Sequence, residues 1–134
     1  MMCGVRMLAV ALLGTGCADG DASLPNPPSV GSLDSPKPGT SVSSQFVVAG
    51  WAADESGVAQ VRLVIDDTVI AKPRLTVPRA DVDQAFPSLL REPHGFVAVV
   101  DVGDRTGPCL IQEEVLDRHG AVSRVAHVRV VIEP

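Results

Sequence analysis

The segment FVVAGWAADESGVAQVRLVID, residues 46–66, contains two apolar runs separated by a polar stretch. In the second run, apolar residues recur at every second position: Val61, Leu63 and Ile65. This is the period of a strand with one buried face. Asp, Ser and Gly between the runs are typical of turns. The segment therefore predicts two short β-strands, over residues 45–53 and 59–66.

Strand patterns continue on both sides of this segment. Gly, Pro and Asp separate five further short runs, at residues 30–34, 68–72, 95–102, 109–117 and 121–132. One helical turn is expected, because Asp81 and Gln84 have the spacing of a capping box and Phe86-Pro87 ends the turn. Only three Phe, one Trp and no Tyr are present, so aliphatic side chains must form the core. Seven short strands at regular spacing predict an all-β, two-sheet antiparallel sandwich.

Two blocks of sequence resemble bacterial Ig-like domains. In the first, Gly50-Trp51-Ala52-x-Asp54 is followed by Gly57-Val58 and an alternating Val-rich run. The second, residues 79–87, reads RADVDQAFP and is similar to an R-P-D-V-x-x-x-Y-P insertion of one subgroup, with Ala in place of the usual Pro. With Asp117-x-x-Gly120 the resemblance covers about residues 30–133. It implies a seven-stranded antiparallel immunoglobulin-like sandwich with one short helical turn.

The start of the chain has the layout of a bacterial signal peptide. Arg6 precedes an apolar run that is too short to span a bilayer as a helix. The sequence Leu13-Gly14-Thr15-Gly16-Cys17 resembles the lipobox of bacterial lipoproteins, although Gly14 stands where the family favours Leu, Val or Ile. The resemblance implies that Cys17 becomes the first mature residue and carries lipid. The alternative is ordinary cleavage after Ala18.

Composition divides the chain into three parts. We expect a signal peptide over residues 1–16, a flexible tether rich in Asp, Ser and Pro over 17–29, and an Ig-like β-sandwich domain over 30–134. The expected location is the cell envelope, with the lipid on Cys17 in the outer membrane or an outward-facing membrane surface. If the leader is cleaved after Ala18 instead, the protein is secreted. The lipid is the only membrane contact that we expect.

Charge and motifs argue against several classes of function. The net charge is −5 and no segment concentrates Lys and Arg, so no nucleic-acid partner is expected. We found no catalytic or nucleotide-binding motif after the leader, and we expect no enzyme activity and no cofactor. No metal site is expected, because the acidic pairs are interpreted as turn residues and the histidines as ordinary surface residues: Asp66/Asp67, Asp81/Asp83, Asp101/Asp104, His94, His119 and His127. Cys109 is interpreted as a small buried hydrophobe without a disulfide partner.

Trp51 is interpreted as a structural residue and not as a sugar-binding platform. Because side chains alternate along a strand, Trp51 lies opposite the core-facing positions Val48, Gly50 and Ala52. An exposed indole is a large apolar surface, and the insertion is the expected cover for it. The structural residues of that insertion are Arg79, Asp81, Phe86 and Pro87.

Glu113 occupies a position where the family has an apolar, core-facing residue. Alternation places it on the same face as Ile111 and Val115. An ionised carboxylate in an aliphatic core costs several kcal/mol unless it is paired. Three outcomes are open: pairing with His127 or Arg129, rotation to the outside by a β-bulge, or a place in a functional pocket. We expect the bulge.

These observations predict a non-catalytic, exported surface module for adhesion, scaffolding or protein interaction. It is expected to be a monomer whose partner is an unidentified protein or cell-surface molecule. The alternative is an accessory domain that acts as a spacer or substrate-targeting unit for a secreted glycan-active or other hydrolytic or transfer enzyme. We favour the first because the sequence contains no enzyme domain. A remnant of a larger secreted protein is a third possibility.

Overall fold

The computed structural model describes residues 26–89 and 92–134, which form two β-sheets and one short helix. The elements are β1 (Val30–Ser35), β2 (Ser41–Val42), β3 (Gln45–Ala53), β4 (Val58–Ile65), β5 (Thr68–Ala71), α1 (Ala80–Ala85), β6 (Gly95–Asp101), β7 (Gly107–Asp117) and β8 (Val122–Ile132). The predicted signal peptide and Cys17 lie outside the described residues. In the described part, no helix has the length and apolar character needed to cross a membrane.

The strands form two separate sheets. The first has three strands in the order β1-β3-β6, and the second has five in the order β2-β8-β7-β4-β5. All neighbouring strands are antiparallel except β2 and β8, which are parallel. Buried side chains from both sheets contact one another. The all-β sandwich with one short helix, predicted from the sequence, is confirmed.

The structure has eight strands in its described part, whereas the sequence predicts seven. The additional strand β2 has two residues, which is too short to show a periodic pattern. It forms because the chain after Gly39 runs beside the end of β8: Gly39 N donates to Arg129 O, and Glu133 N donates to Val42 O, both at 2.8 Å. The expectation of purely antiparallel sheets is therefore wrong for the five-stranded sheet.

Aliphatic side chains from the two sheets form the core. One buried group contains Val48, Ala52, Phe96 and Val100 from the three-stranded sheet and Val61, Leu63 and Val115 from the other. A second buried group contains Ile65, Val102, Ile111, Val128, Val130 and Ile132. Burying one such aliphatic side chain contributes about 1.5–3 kcal/mol, so the alternation of Val and Ile decides which face of each strand turns inward.

Gly50 allows β1 to lie close to β3 above the buried Phe96. A Cβ atom at position 50 would overlap the carbonyl oxygen of Ser32 and come within 3.0 Å of the Phe96 ring. Only glycine leaves enough space for this contact. The close approach places β1 over the centre of the sandwich, where it covers part of β7 and β8.

The last four residues of the predicted tether contact the domain. Asn26 Nδ2 donates to Asp117 at 2.9 Å, and the buried Ser29 Oγ donates to Asp54 at 2.7 Å. Residues 26–29 form no strand or helix, but these two hydrogen bonds fix them to the turns after β3 and β7. The packed unit therefore begins a few residues before β1.

Candidate functional site

Glu113 is fully buried between the two sheets. Its strand β7 alternates regularly, with Ile111, Glu113 and Val115 all facing inward. A bulge is present next to Glu113, but it lies on the neighbouring strand: Glu113 pairs with Ala126 and Glu114 pairs with Arg124, so Val125 is the extra residue. Because β7 itself stays regular, Glu113 keeps its inward direction. The expectation that a bulge turns Glu113 outward is therefore wrong.

The Glu113 carboxyl has no hydrogen-bond partner among the described residues. The two cations considered as partners are exposed and lie at other register positions, His127 opposite Gln112 and Arg129 opposite Leu110. Burial, and to a smaller extent the negative charge of Asp34, raises the pKa of Glu113 to about 9. The carboxyl group is therefore protonated and neutral at pH 7.

Gly31 of β1 provides the space that the Glu113 carboxyl occupies. A Cβ atom at position 31 would lie 3.0 Å from Oε2 of Glu113 and 2.7 Å from both the Trp51 carbonyl oxygen and the Val125 side chain. The carboxyl is thus enclosed by β1 on one side and by Leu63 and Ala126, its register partners on β4 and β8.

The insertion is attached to β1 through Arg79. The Arg79 guanidinium binds Asp81 with two hydrogen bonds of 2.9 and 2.8 Å and donates a third, of 2.8 Å, to Asp34. These bonds raise the pKa of Arg79 and lower the pKa of Asp81. The helix begins at Ala80 without a side-chain cap, since the Asp81 carboxylate is bound to Arg79. The predicted capping box of Asp81 and Gln84 is therefore wrong.

The insertion also packs against Trp51. The indole lies on the outer face of β3, and its ring centre is 6.1 Å from that of Phe86, with 46° between the ring planes. Trp51 and Phe86 are both half-buried, whereas Pro87 is exposed. The Trp51 ring therefore packs on the insertion at one end of this face.

His94 is buried beneath the same insertion, so its interpretation as a surface residue is wrong. Only 1% of it is exposed, and its carbonyl accepts a 2.9 Å hydrogen bond from Ala52 N. Neither ring nitrogen has a hydrogen-bond partner in the described part of the chain, although Nε2 lies 3.5 Å from Asp83. His119 and His127 are exposed. His94 directly precedes β6, and its hydrogen bond with Ala52 continues the pairing of β6 with β3. This pairing holds His94 beside the core.

Of the acidic pairs interpreted as turn residues, Asp66/Asp67 and Asp101/Asp104 lie at or beside turns, whereas Asp81 and Asp83 lie in α1, so the interpretation is wrong for that pair. Asp66 and Asp67 both have positive φ angles, 50° and 62°, in the two-residue connection between β4 and β5. Asp101 accepts a 2.8 Å hydrogen bond from Gly103 N. Within residues 26–89 and 92–134, no three His, Cys, Asp or Glu side chains come close enough together to hold a metal ion. Cys109 is half-buried and forms no disulfide, and burial raises the pKa of its thiol.

The outer face of the three-stranded sheet carries an exposed apolar patch, which we call the valine face: Val47, Val97 and Val99. Val47 on β3 lies directly opposite Val99 on β6, and the three side chains are 49%, 60% and 71% exposed. Single exposed valines need no explanation, but neighbouring ones on one face are typical of interaction surfaces. Sequence alternation indicates that Val97 and Val99 point outward. It does not indicate that Val47 lies beside Val99, because that depends on the register between strands.

Two comparisons support an immunoglobulin-like domain. The family model described as bacterial Ig domain matches residues 28–80. The chain is similar to the fibronectin(III)-like modules of CbhA from Clostridium thermocellum, with a TM-score of 0.56 and 14% identity over 78% of this chain and 96% of that one. It is also similar to the endo-beta-1,4-mannanase from Thermotoga petrophila, with a TM-score of 0.54 and 11% identity over 89% of this chain. No curated protein sequence matches the chain.

The fold is an all-β sandwich, and the family match over residues 28–80 supports an Ig-like domain in this part of the chain. At 11–14% identity the similarity to solved structures shows the fold alone. The chain spans 26% of the mannanase, so that similarity concerns one part of a larger protein. The family match ends at residue 80, near the start of the insertion, and the insertion motif stays a prediction.

Proposed function

We propose that the protein is a non-catalytic interaction module of the cell envelope, and that its valine face contacts a partner protein. The exposure of Val47, Val97 and Val99 on adjacent positions is the observation that carries the proposal. Covering each of these half-exposed side chains contributes about 1 kcal/mol. Covering all three favours association with a partner.

The position of β6 supports the same surface. β6 is an edge strand of the three-stranded sheet. Beyond that sheet, Gly95 forms a bridge with Val77, and β6 also comes close to β5. In the part of the chain that the structure describes, no strand pairs with the outer edge of β6 from Val97 onward, so its backbone groups could pair with an added strand. A partner segment that adds to this edge as an extended strand would form backbone hydrogen bonds with β6. The same segment would also cover the valine face.

Photo-crosslinking on intact cells tests the contact. A photoreactive side chain at position 99 should give a discrete crosslinked product, whereas one at position 122 should not. Val122 is a matched control, because it is 51% exposed but lies on β8 in the other sheet. Val47→Lys should remove the product from position 99. Equal products from positions 99 and 122, or a product that survives Val47→Lys, would contradict the proposal.

The location at the envelope is part of the proposal and rests on the sequence Leu13–Cys17. Intact-mass measurement of the membrane fraction should show a chain that begins at Cys17 with added acyl mass. Cys17→Ser should abolish that species and release the protein from the membrane. A chain from the membrane fraction that begins at Asp19 without acyl mass would rule out the lipid anchor.

A second candidate function is that of an accessory domain for an enzyme. The observation in its favour is the similarity to part of a chain named as an endo-beta-1,4-mannanase. The crosslinking experiment separates the two, since an accessory domain should crosslink through position 99 to a hydrolase or transferase. Identification of the product by mass spectrometry decides between them.

A further inference from the structure

A cleft lies beside the five-stranded sheet, and none of its lining residues belongs to the valine face. It is formed by the start of β4, the segment after β5, residues 92–93 and Arg118, which follows β7. Its volume is about 360 Å³, at the lower end of the range for small-molecule sites. The charged side chains that line it are Lys72, Arg74, Arg118 and Glu92.

The three cations of this cleft form no ion pair with any residue that the structure describes. They are gathered around one opening in a chain whose net charge is −5. Like charges that line one opening repel one another, and a bound anion relieves the repulsion. The cleft is therefore suited to a negatively charged ligand.

Gly57 holds Arg118 in the cleft lining. Gly57 has a φ of +98°, and a Cβ atom there would lie 2.8 Å from Nε of Arg118. The backbone N–H of Arg118 also donates to Gly57 O at 3.2 Å. The Arg118 side chain thus packs flat over a residue that has no side chain, which limits its motion and reduces the entropy lost on binding.

We propose that this cleft binds an acidic sugar, the hexuronate unit of a glycan. The guanidinium groups of Arg74 and Arg118 match a carboxylate. Glu92 would repel a simple anion such as sulfate, but it accepts hydrogen bonds from sugar hydroxyls, and Gln60 can donate or accept. Pro73, Leu75 and Pro93 supply aliphatic surface for the C–H face of the ring. The described lining contains no aromatic ring, so ion pairs take the place of the stacking that neutral sugars require.

The probe for this site is trigalacturonate, titrated into the protein and followed by backbone amide NMR and calorimetry. We expect shifts at residues 58–61, 72–75 and 118, and affinity that falls severalfold between 0.05 and 0.5 M NaCl because salt screens exposed charges. Arg118→Gln should weaken binding at least tenfold. Arg74→Gln provides a second test on a segment outside the strands, in case Arg118→Gln disturbs the fold.

The matched control is Arg129→Gln, which removes an exposed cation on β8 outside the cleft lining. It should change the affinity by less than twofold. Galactotriose and sodium sulfate serve as comparison ligands. Absence of shifts at the cleft, equal affinity for sulfate or galactotriose, or an Arg129→Gln effect as large as that of Arg118→Gln would overturn the proposal. None of these results bears on the contact proposed for position 99, so the failure of this proposal can be distinguished from the failure of the proposed function.

Discussion

Replacement of Glu113 by Gln should make the protein more stable at high pH but leave it almost unchanged at pH 5. The pKa of Glu113 is about 9 in the folded chain, against an ordinary value of 4.5 for a solvent-exposed glutamate such as that of the unfolded chain. Between these values the folded state binds a proton that the unfolded state releases, so stability falls as pH rises. Each pH unit costs about 1.4 kcal/mol. Glutamine does not titrate and escapes this loss.

The expected effect is large for a domain of this size. Between pH 5 and pH 8 the free energy of unfolding of Glu113→Gln should rise relative to that of the wild type by about 4 kcal/mol. Small domains have a total stability of about 5–15 kcal/mol, so the wild type should lose much of its stability over this range. With a urea dependence of about 2 kcal/mol per molar, the difference in unfolding midpoint is about 2 M.

Urea titrations of both proteins at pH 5, 6, 7 and 8 measure this difference directly, because all other titrating groups are common to the two chains. Glu114→Gln is the control, since Glu114 is the next residue, lies on the outer face and is bound to Arg124 at 2.9 Å. Its removal should give no gain that grows with pH. A constant difference between Glu113→Gln and the wild type from pH 5 to pH 8 would refute a buried, protonated Glu113.

Three further predictions concern contacts at Gly31, Phe86 and Asp54. Gly31→Ala should cost more than about 2 kcal/mol in urea unfolding, because the added methyl group would lie 2.7 Å from the Trp51 carbonyl oxygen; an unchanged midpoint would show that β1 is not packed as described. Phe86→Ala should shift the fluorescence of Trp51, the only Trp in the chain, to the red as the indole gains water; an emission at the solvent value already in the wild type would contradict this contact. Asp54→Ala should cost about 1–3 kcal/mol, since it removes three hydrogen bonds in the loop after β3; a loss below about 0.5 kcal/mol, as at an ordinary surface position, would contradict that role.

The strands could be predicted from the sequence because one face of each is buried. Alternation of Val, Leu and Ile is imposed by the core, and it recurs wherever a strand is long enough to show two or three inward residues. Strand β2 has one inward residue, Val42, and is held by backbone hydrogen bonds to β8 that any side chain permits. Its existence depends on tertiary packing and leaves no pattern in the sequence.

The candidate sites depend on how the strands pair with one another. The sequence of one segment alone does not determine this pairing. The direction of Glu113 follows from the alternation of its own strand, but the bulge that was expected to alter it lies at Val125 on the neighbouring strand. The valine face requires the register of β3 against β6. The cleft joins Arg118 to Arg74 from segments that are distant in sequence. In each case the residue types are visible in the sequence and their neighbours are not.

Glu113 is tolerated because it is neutral, and not because another charge compensates for it. The Arg79 guanidinium on the insertion is bound to Asp34 and Asp81 and forms no ion pair with Glu113. Ionising the Glu113 carboxyl at pH 7 would cost roughly 3 kcal/mol. Asp34 also adds to the cost, since its negative charge raises the pKa of Glu113 further. The region where β1 packs over Glu113 of β7 therefore contains a protonated carboxyl among apolar side chains. Loss of that proton at alkaline pH is the change that should destabilise this packing.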